Sequence, residues 1–310
     1  MQTILGAGGV IGDELAKNLT RYTKKIRIVS RQPKNVNHDD ELFAANLLQA
    51  EEVMKAVEGS EVVYLVAGFK YDTKVWRRTW PVVMANVINA CKAHQSKLVF
   101  FDNVYMYGKV NGRMNEETPT NPCSKKGEIR AQIATMLLDE IQKGNIKALI
   151  ARAADFYGPE VPNSIPEGLI LQNYKKGRKA QVFCSDRFVH SYTYTPDAGE
   201  ATAILGNSDT AYDQVWHLPT MKNPMTGKDW IAAFAREFNT PPKYMVLKKW
   251  MVRLFGLFVP VIGEVYEMLY QYDRDYLFDS SKFEASFDYT PTPYAEGIHN
   301  AVVAAKSVAG

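Results

Sequence analysis

The chain has 310 residues, enough to bury a large core as one compact unit or two closely packed lobes. Its composition is that of an ordinary globular protein. A formal net charge of +3 with no basic block argues against nucleic acid as a partner. Cys91, Cys123 and Cys184 have no metal-ligand spacing, and no Cys, His or carboxylate cluster does. Their odd number argues against a disulfide framework, so they read as reduced thiols of a cytoplasmic protein.

In chain order, Gln2-Thr3-Ile4-Leu5 is a short apolar run, and Gly6-Ala7-Gly8-Gly9-Val10-Ile11-Gly12 follows at once. Asp13-Glu14-Leu15-Ala16-Lys17-Asn18-Leu19 then has helical spacing, which makes strand, glycine turn, helix. Gly6 lets the chain leave the strand sharply, Gly9 lets the backbone approach a pyrophosphate, and Gly12 lets the helix pack on the strand. The helix N-terminus turns free N–H groups and a positive dipole end towards phosphate. The first strand starts almost at Met1, so no signal peptide is expected.

Strand-like runs follow at 26–30, 61–67, 97–101 and 146–151, with helical patterns near 49–57, 76–94 and 125–143. Alternating strand and helix predicts an α/β fold: a Rossmann, doubly wound parallel sheet with helices on both faces. Ligands then bind beyond the carboxyl ends of the strands. After about residue 155 the pattern changes. Residues 156–188 carry Pro159, Pro162 and Pro166 with one amphipathic stretch at 167–176, and 196–205 reads as a helix. The expected organisation is a Rossmann domain over 1–155 that takes back 189–217. A smaller mixed α/β substrate lobe is built from 156–188 and 218–310. The most apolar stretch, 246–268, is interrupted by Lys248, Lys249, Arg253, Pro260 and Glu264 and is too polar for a membrane span. It reads as a core or lid helix in preference to a membrane-surface or dimer-contact helix. Neither a membrane nor a nucleic acid is expected as partner.

Several motifs in the same order resemble the extended and atypical short-chain dehydrogenase/reductases, the NAD-dependent epimerase/dehydratase-like branch. Gly6, Gly9 and Gly12 match its GxxGxxG, and Val66-Ala67 fits the apolar strand end that lines the cofactor. Asn86 resembles the asparagine of the central helix, and Tyr107-Gly108 the pair after the catalytic-serine strand. Arg152 with Phe156-Tyr157-Gly158-Pro159, His190 with Asp197, and Phe283 with Thr290-Pro291-Thr292-Pro293 are similar to later family segments. The resemblance implies an NAD(P) site formed by Gly6, Gly9, Val10, Ile11, Gly12, Ser30, Arg31, Asn46, Leu47, Val66, Ala67, Asn86 and Arg130. NAD-preferring members carry an acidic residue at the end of the second strand; here Ser30 and Arg31 stand there, with Lys34 nearby. That pair suits a 2′-phosphate, so NADP is expected, with NAD the alternative. Asn46-Leu47 takes the place of the family's adenine-contacting Asp-Leu.

The family's Ser-Tyr-Lys chemistry is replaced. Aligned on Gly127 and Tyr107, Lys126 stands at the tyrosine position, Arg130 at the lysine position and Asn103 at the serine position. Lys126, Asn103, Tyr105 and Arg130 are therefore the candidate catalytic residues. Lys126 could donate a proton from a buried setting, with Tyr105, Tyr107 and Asp155 as other donors. Arg130 keeps the lysine's bond to the nicotinamide ribose, and Asn103 orients a carbonyl. The expected function is an NAD(P)-binding epimerase- or dehydratase-like oxidoreductase acting on a small carbonyl or sugar-like substrate; the alternative is an inactive NADP-binding sensor or scaffold. Nucleotide-sugar members place an arginine where Asp186 stands, and Arg187 is one residue out of step, which turns its side chain to the other face. Phe156, Tyr157, Tyr174, Phe183, Tyr192 and Trp216 could line an aromatic pocket. The helices at 76–94 and 125–143 could pair two copies into a homodimer.

Overall fold

A computed structural model describes residues 1–307 of the chain. The opening apolar run is strand β1 (Gln2–Leu5), and the glycine turn leads into helix α1 (Val10–Leu19). All of β1 is buried, and α1 turns Leu15, Ala16 and Leu19 inward, the apolar stripe of an amphipathic helix. There follow β2 (Ile26–Ser30), β3 (Glu41–Ala44), α2 (Ala50–Val57), β4 (Val62–Leu65), α3 (Thr73–His94), β5 (Lys97–Asp102), α4 (Lys125–Gln142) and β6 (Ala148–Arg152). After a long excursion come α5 (Thr195–Gly206) and β7 (Val215–His217). The seven strands form one parallel sheet in the order β7-β6-β5-β4-β1-β2-β3. The chain runs outward from β1 through β2 to β3, then returns to β4 on the other side of β1. Leu5 and Leu65 end up paired, so the carboxyl ends of β1 and β4 flank the topological switch point.

Two sheet strands lack a sequence signal. β3 is an edge strand with Glu41, Leu42 and Ala44 exposed, and β7 spans three residues, so neither shows a buried apolar run. α3 starts at Thr73 because the Asp72 side chain accepts the N–H groups of Val75 (3.0 Å) and Lys74 (2.8 Å). These bonds, that from Val75 foremost, hold the Asp72 carboxyl below the usual carboxylate range.

The described residues form two compact units: Met1–Met106, Lys125–Ala153 and Pro196–Leu218 in the first, Tyr107–Ser124, Ala154–Thr195 and 219–307 in the second. The return to the sheet unit therefore begins at 196 and not at 189. Val189–His190 pairs with Met225–Thr226, and Tyr192–Tyr194 pairs with Asp155–Tyr157, which ties 189–195 to the second unit. Residues 107–124 also leave the expected Rossmann span, because Arg113–Met114 pairs with Leu277–Phe278. Residues 308–310 of the expected lobe lie outside the described residues.

The second unit holds α6 (Gly227–Glu237), α7 (Lys249–Gly256), α8 (Pro260–Tyr266) and α9 (Tyr294–Ser307). Tyr157, Tyr174 and Tyr192 pack there with Tyr194, Trp230 and Tyr294 as core, and Phe183 belongs to a smaller cluster with Leu247, Val252, Leu269 and Tyr272. Trp216 lies in the first unit, its indole N–H donating to Ala211 O (2.7 Å). Most of the expected aromatic pocket is thus packing. The stretch 246–268 is not one core helix. It breaks into α7 and α8, and no residue of α8 is fully buried. Among the described residues no helix is long and apolar enough to cross a membrane.

Candidate functional site

The turn after β1 is held from two sides. The N–H groups of Gly6 and Ala7 both donate to Val29 O (2.9 and 3.1 Å), and Val66 N–H donates to Leu5 O (3.0 Å). Gly6 has φ +83°, and a Cβ there would lie 2.4 Å from the Ala67 Cα. Only glycine lets the backbone leave β1 beneath residue 67. A Cβ on Gly12 would stand 3.2 Å from the Ala7 Cα, so this glycine is the close-packing one. Gly9 differs: it is the extended N-cap of α1, no side chain caps the helix, and a Cβ at Gly8 or Gly9 would meet no atom within 4 Å. The first turn of α1, with Val10 and Ile11, presents backbone donors and a positive dipole end to whatever enters that space. Backbone N–H donors and a positive dipole end suit an anionic group such as a pyrophosphate.

The flanking residues converge on the same sheet end. Ser30 closes β2, half-buried, and Arg31 is exposed just beyond it. Asn46 and Leu47 follow β3. The Asn46 side-chain oxygen Oδ1 accepts Leu48 N–H (3.1 Å), and its backbone N–H donates to Glu52 Oε2 (2.6 Å). Asn86 reaches across from α3 to donate to Leu47 O (3.0 Å), so it braces the 46–49 turn.

The catalytic candidates gather around an aromatic wall in the first unit. Tyr71 meets Trp76 edge-on (5.6 Å), and Tyr105 stacks on Trp76 (6.4 Å, 11°). Lys126, in the first turn of α4, is wholly buried. Its Nζ donates to Thr73 Oγ1 (3.0 Å) and sits 4.6 Å from the centre of the Tyr71 ring. Asn103 is half-buried, and its side-chain oxygen accepts Tyr105 N–H (3.0 Å).

Arg130 does not behave as expected. Its guanidinium is committed to Asp102: Nε donates to Oδ1 (2.7 Å) and Nη2 donates to the same oxygen. It lies over Trp80 (4.4 Å) and Phe100 (5.1 Å), and only 4% of the side chain is exposed. An arginine is longer than the family's lysine and cannot give up its charge, so it turns inward to the one carboxylate that balances it. Asp102 is the residue the sequence reading missed. It ends β5, is paired in register with Arg152, whose Nε is 3.5 Å from Oδ2, and also accepts Asn103 N–H (2.8 Å). The available signal was a carboxylate closing a buried strand, a setting acidic residues occupy only when paired.

A second polar cluster lies in the other unit. Asp155 and His190 join through Oδ2 and Nε2 (2.9 Å), and Tyr272 OH donates to the same carboxylate oxygen (2.8 Å). Tyr272 and Tyr276 stack on the two sides of the imidazole (4.6 Å, 3° and 4.4 Å, 15°). Burial, and then the Asp155 charge, push the Tyr276 and Tyr192 hydroxyls well above their ordinary range. A cavity of about 30 Å³ beside His190 is lined also by Tyr192, Gln271, Tyr272 and Arg274. Asp186 accepts Tyr244 OH (2.7 Å), while Arg187 is exposed. Among the described residues no group of three His, Cys, Asp or Glu could hold a metal ion.

The sequence profile of the NAD dependent epimerase/dehydratase family matches residues 3–214. The chain belongs to that family. No curated protein sequence matches it. Solved family structures share the fold at low identity. UDP-glucose 4-epimerase of Thermus thermophilus, in complex with NAD, is 19% identical with a TM-score of 0.80, covering 99% of each chain. UDP-glucuronic acid 4-epimerase of Bacillus cereus, also with NAD, is 17% identical with a TM-score of 0.81, covering 100% of each. dTDP-glucose 4,6-dehydratase of Bacillus anthracis str. Ames with NAD is 16% identical with a TM-score of 0.81, covering 99% of this chain and 96% of that one.

Proposed function

We propose that this family member binds NADP at the β1/β4 switch point and acts as an oxidoreductase or epimerase on a small carbonyl or sugar-like compound. The carrying observation is the turn at Gly6–Gly12, which keeps atoms away from Gly8 and Gly9 and leaves the α1 N-terminus without a side-chain cap. NAD in the related structures supports the cofactor class. When bound, the nicotinamide supplies hydride acceptance or donation. The chain's own residues do the rest. The Lys126 ammonium, steadied by Thr73 Oγ1, is the proton donor nearest the family's tyrosine position. Asn103 orients the reacting oxygen, and Tyr105 closes the aromatic wall beside them. Arg130 acts through Asp102 and holds Asn103 in place. The second unit is assigned to substrate binding.

Lys126→Met keeps the side-chain volume and removes the proton. Turnover is expected to fall by about 10²–10⁴ with nucleotide affinity unchanged. An active variant would remove Lys126 from the chemistry. NADP preference rests on Ser30 and the exposed Arg31. Arg31→Ala is expected to weaken NADPH by about tenfold to a hundredfold, the worth of hydrogen bonds to a charged group, and to leave NADH binding nearly untouched. Equal losses in parallel calorimetric titrations would rule out the 2′-phosphate contact.

One observation favours a second reading, binding without turnover: Lys126 has no exposed surface and its ammonium is already engaged. NADPH titration followed by spectra over pools of carbonyl and sugar substrates separates the two. Oxidation of the nucleotide supports the enzyme, and tight binding with no oxidation by any pool supports the sensor.

A further inference from the structure

The α7–α8 hairpin has two unlike sides. At its crossing the helices touch through glycines: a Cβ on Gly256 would lie 2.8 Å from the Gly263 Cα. The inner side packs Val252, Met251, Ile262 and Val265 onto the Phe183–Leu269–Tyr272 cluster. The outer side and the connecting turn carry Trp250, Leu254, Phe255, Leu257, Phe258 and Val261, all exposed, with Trp250 at 66%, Leu257 at 77% and Phe258 at 78%. More than half of the exposed large hydrophobic side chains among the described residues fall between 250 and 266. A contiguous apolar patch of this kind marks an interaction surface.

The charges on the hairpin have one sign outward. Lys248, Lys249 and Arg253 are exposed, but Lys249 is already held by Asp273, which leaves Lys248 and Arg253 as the cations the hairpin offers. Glu264 and Glu267 are only half exposed and already have partners. A second copy docking through a two-fold axis would set this patch against itself, with no carboxylate free to receive the cations. An anionic bilayer surface meets both demands. Its acyl boundary takes the apolar tip, its headgroups take Lys248 and Arg253, and Trp250 and Tyr266 have the amphipathic rings that suit the boundary. Each helix is about 12 Å long or less, too short to span the membrane, so the hairpin lies in the surface.

We propose that the α7–α8 hairpin docks this protein reversibly on anionic phospholipid bilayers through Leu257 and Phe258, with Lys248 and Arg253 setting the preference for negative headgroups. This assignment does not rest on the nucleotide-binding reading, and its test needs no nucleotide. The full chain is sedimented with vesicles of phosphatidylcholine alone or mixed with phosphatidylglycerol, at low and high salt, and its mass in solution is measured by light scattering. The expected result is pelleting with the anionic vesicles that weakens with salt. Leu257→Asp/Phe258→Asp abolishes it while circular dichroism and thermal unfolding stay as in the parent. Each of Lys248→Ser and Arg253→Ser lowers the partition coefficient by about fivefold. The proposal is overturned by no pelleting, by pelleting that Leu257→Asp/Phe258→Asp leaves intact, or by a dimer that this variant splits without any vesicle binding.

Discussion

Arg130→Met should lower the free energy of unfolding by about 3–5 kcal/mol, the cost of leaving a buried charge without its partner. The Asp102 side chain has no exposed surface and only 4% of Arg130 is exposed, so water cannot replace the lost donors without opening the core. The methionine fills much of the volume under Trp80 and Phe100, which makes the loss electrostatic more than steric. Arg152 stays 3.5 Å from the other carboxylate oxygen and offsets part of the charge, which favours the lower end of the range. Urea unfolding of Arg130→Met, Asp102→Asn and the double variant checks this. The two single losses together should exceed the loss in the double variant, because removing both members leaves neither Arg130 nor Asp102 without the other, while Arg152 loses the Asp102 charge wherever Asp102 becomes Asn. A single-variant loss below about 1 kcal/mol, the level of an exposed ion pair, would show that Arg130 is not bracing Asp102.

That pair also shows where sequence reading stops. Arg130 was legible as a departure from the family's lysine, but its destination was not. Asp102 is 28 positions away in the chain, and nothing local joins a strand end to the second turn of α4. Strand, turn and helix at the start of the chain were legible because apolar period and glycine spacing are local signals, and β1 and α1 form where those signals lie. β3 carries exposed residues at an edge, and β7 is too short for a period. The move of 107–124 into the second unit rests on a two-residue pairing of Arg113–Met114 with Leu277–Phe278, a contact of high sequence separation with no composition of its own. The 246–268 stretch failed for a different reason. Its apolar content was plain, but composition does not say what covers a side chain, and the Gly256–Gly263 crossing leaves Leu257 and Phe258 outside. His190 was visible as a family position and Asp155 as an alternative proton donor. Their union with Tyr272 depends on parallel pairing of Asp155 with Tyr192 and could not be read along the chain.

Two glycines three residues apart in the first turn should give opposite phenotypes. Gly6→Ala is expected to damage folding. Its φ of +83° costs a residue with a Cβ about 1–2 kcal/mol, and the new methyl, 2.4 Å from backbone at Ala67, adds about 1–3 kcal/mol of overpacking. Backbone cannot step aside as a side-chain tip can, because Val66 N–H is bonded to Leu5 O and anchors residues 66–67 to β1. Gly9→Glu is expected to leave folding within about 0.5 kcal/mol of the parent: the position is exposed and extended (φ −121°, ψ 163°), and its Cβ meets nothing. Yet it sets a carboxylate at the uncapped end of α1, where a pyrophosphate would bring its own negative charge. Like charges juxtaposed at a binding site cost several kcal/mol, so nucleotide affinity should fall by about a hundredfold or more. Thermal unfolding and calorimetric titration of both variants separate the effects. If Gly9→Glu binds NADPH as the parent does, the phosphates lie elsewhere and the β1/β4 assignment fails. If it folds normally and binds neither NADPH nor NADH, the space above Gly8 and Gly9 is the pyrophosphate site, and Gly6 serves the strand exit alone.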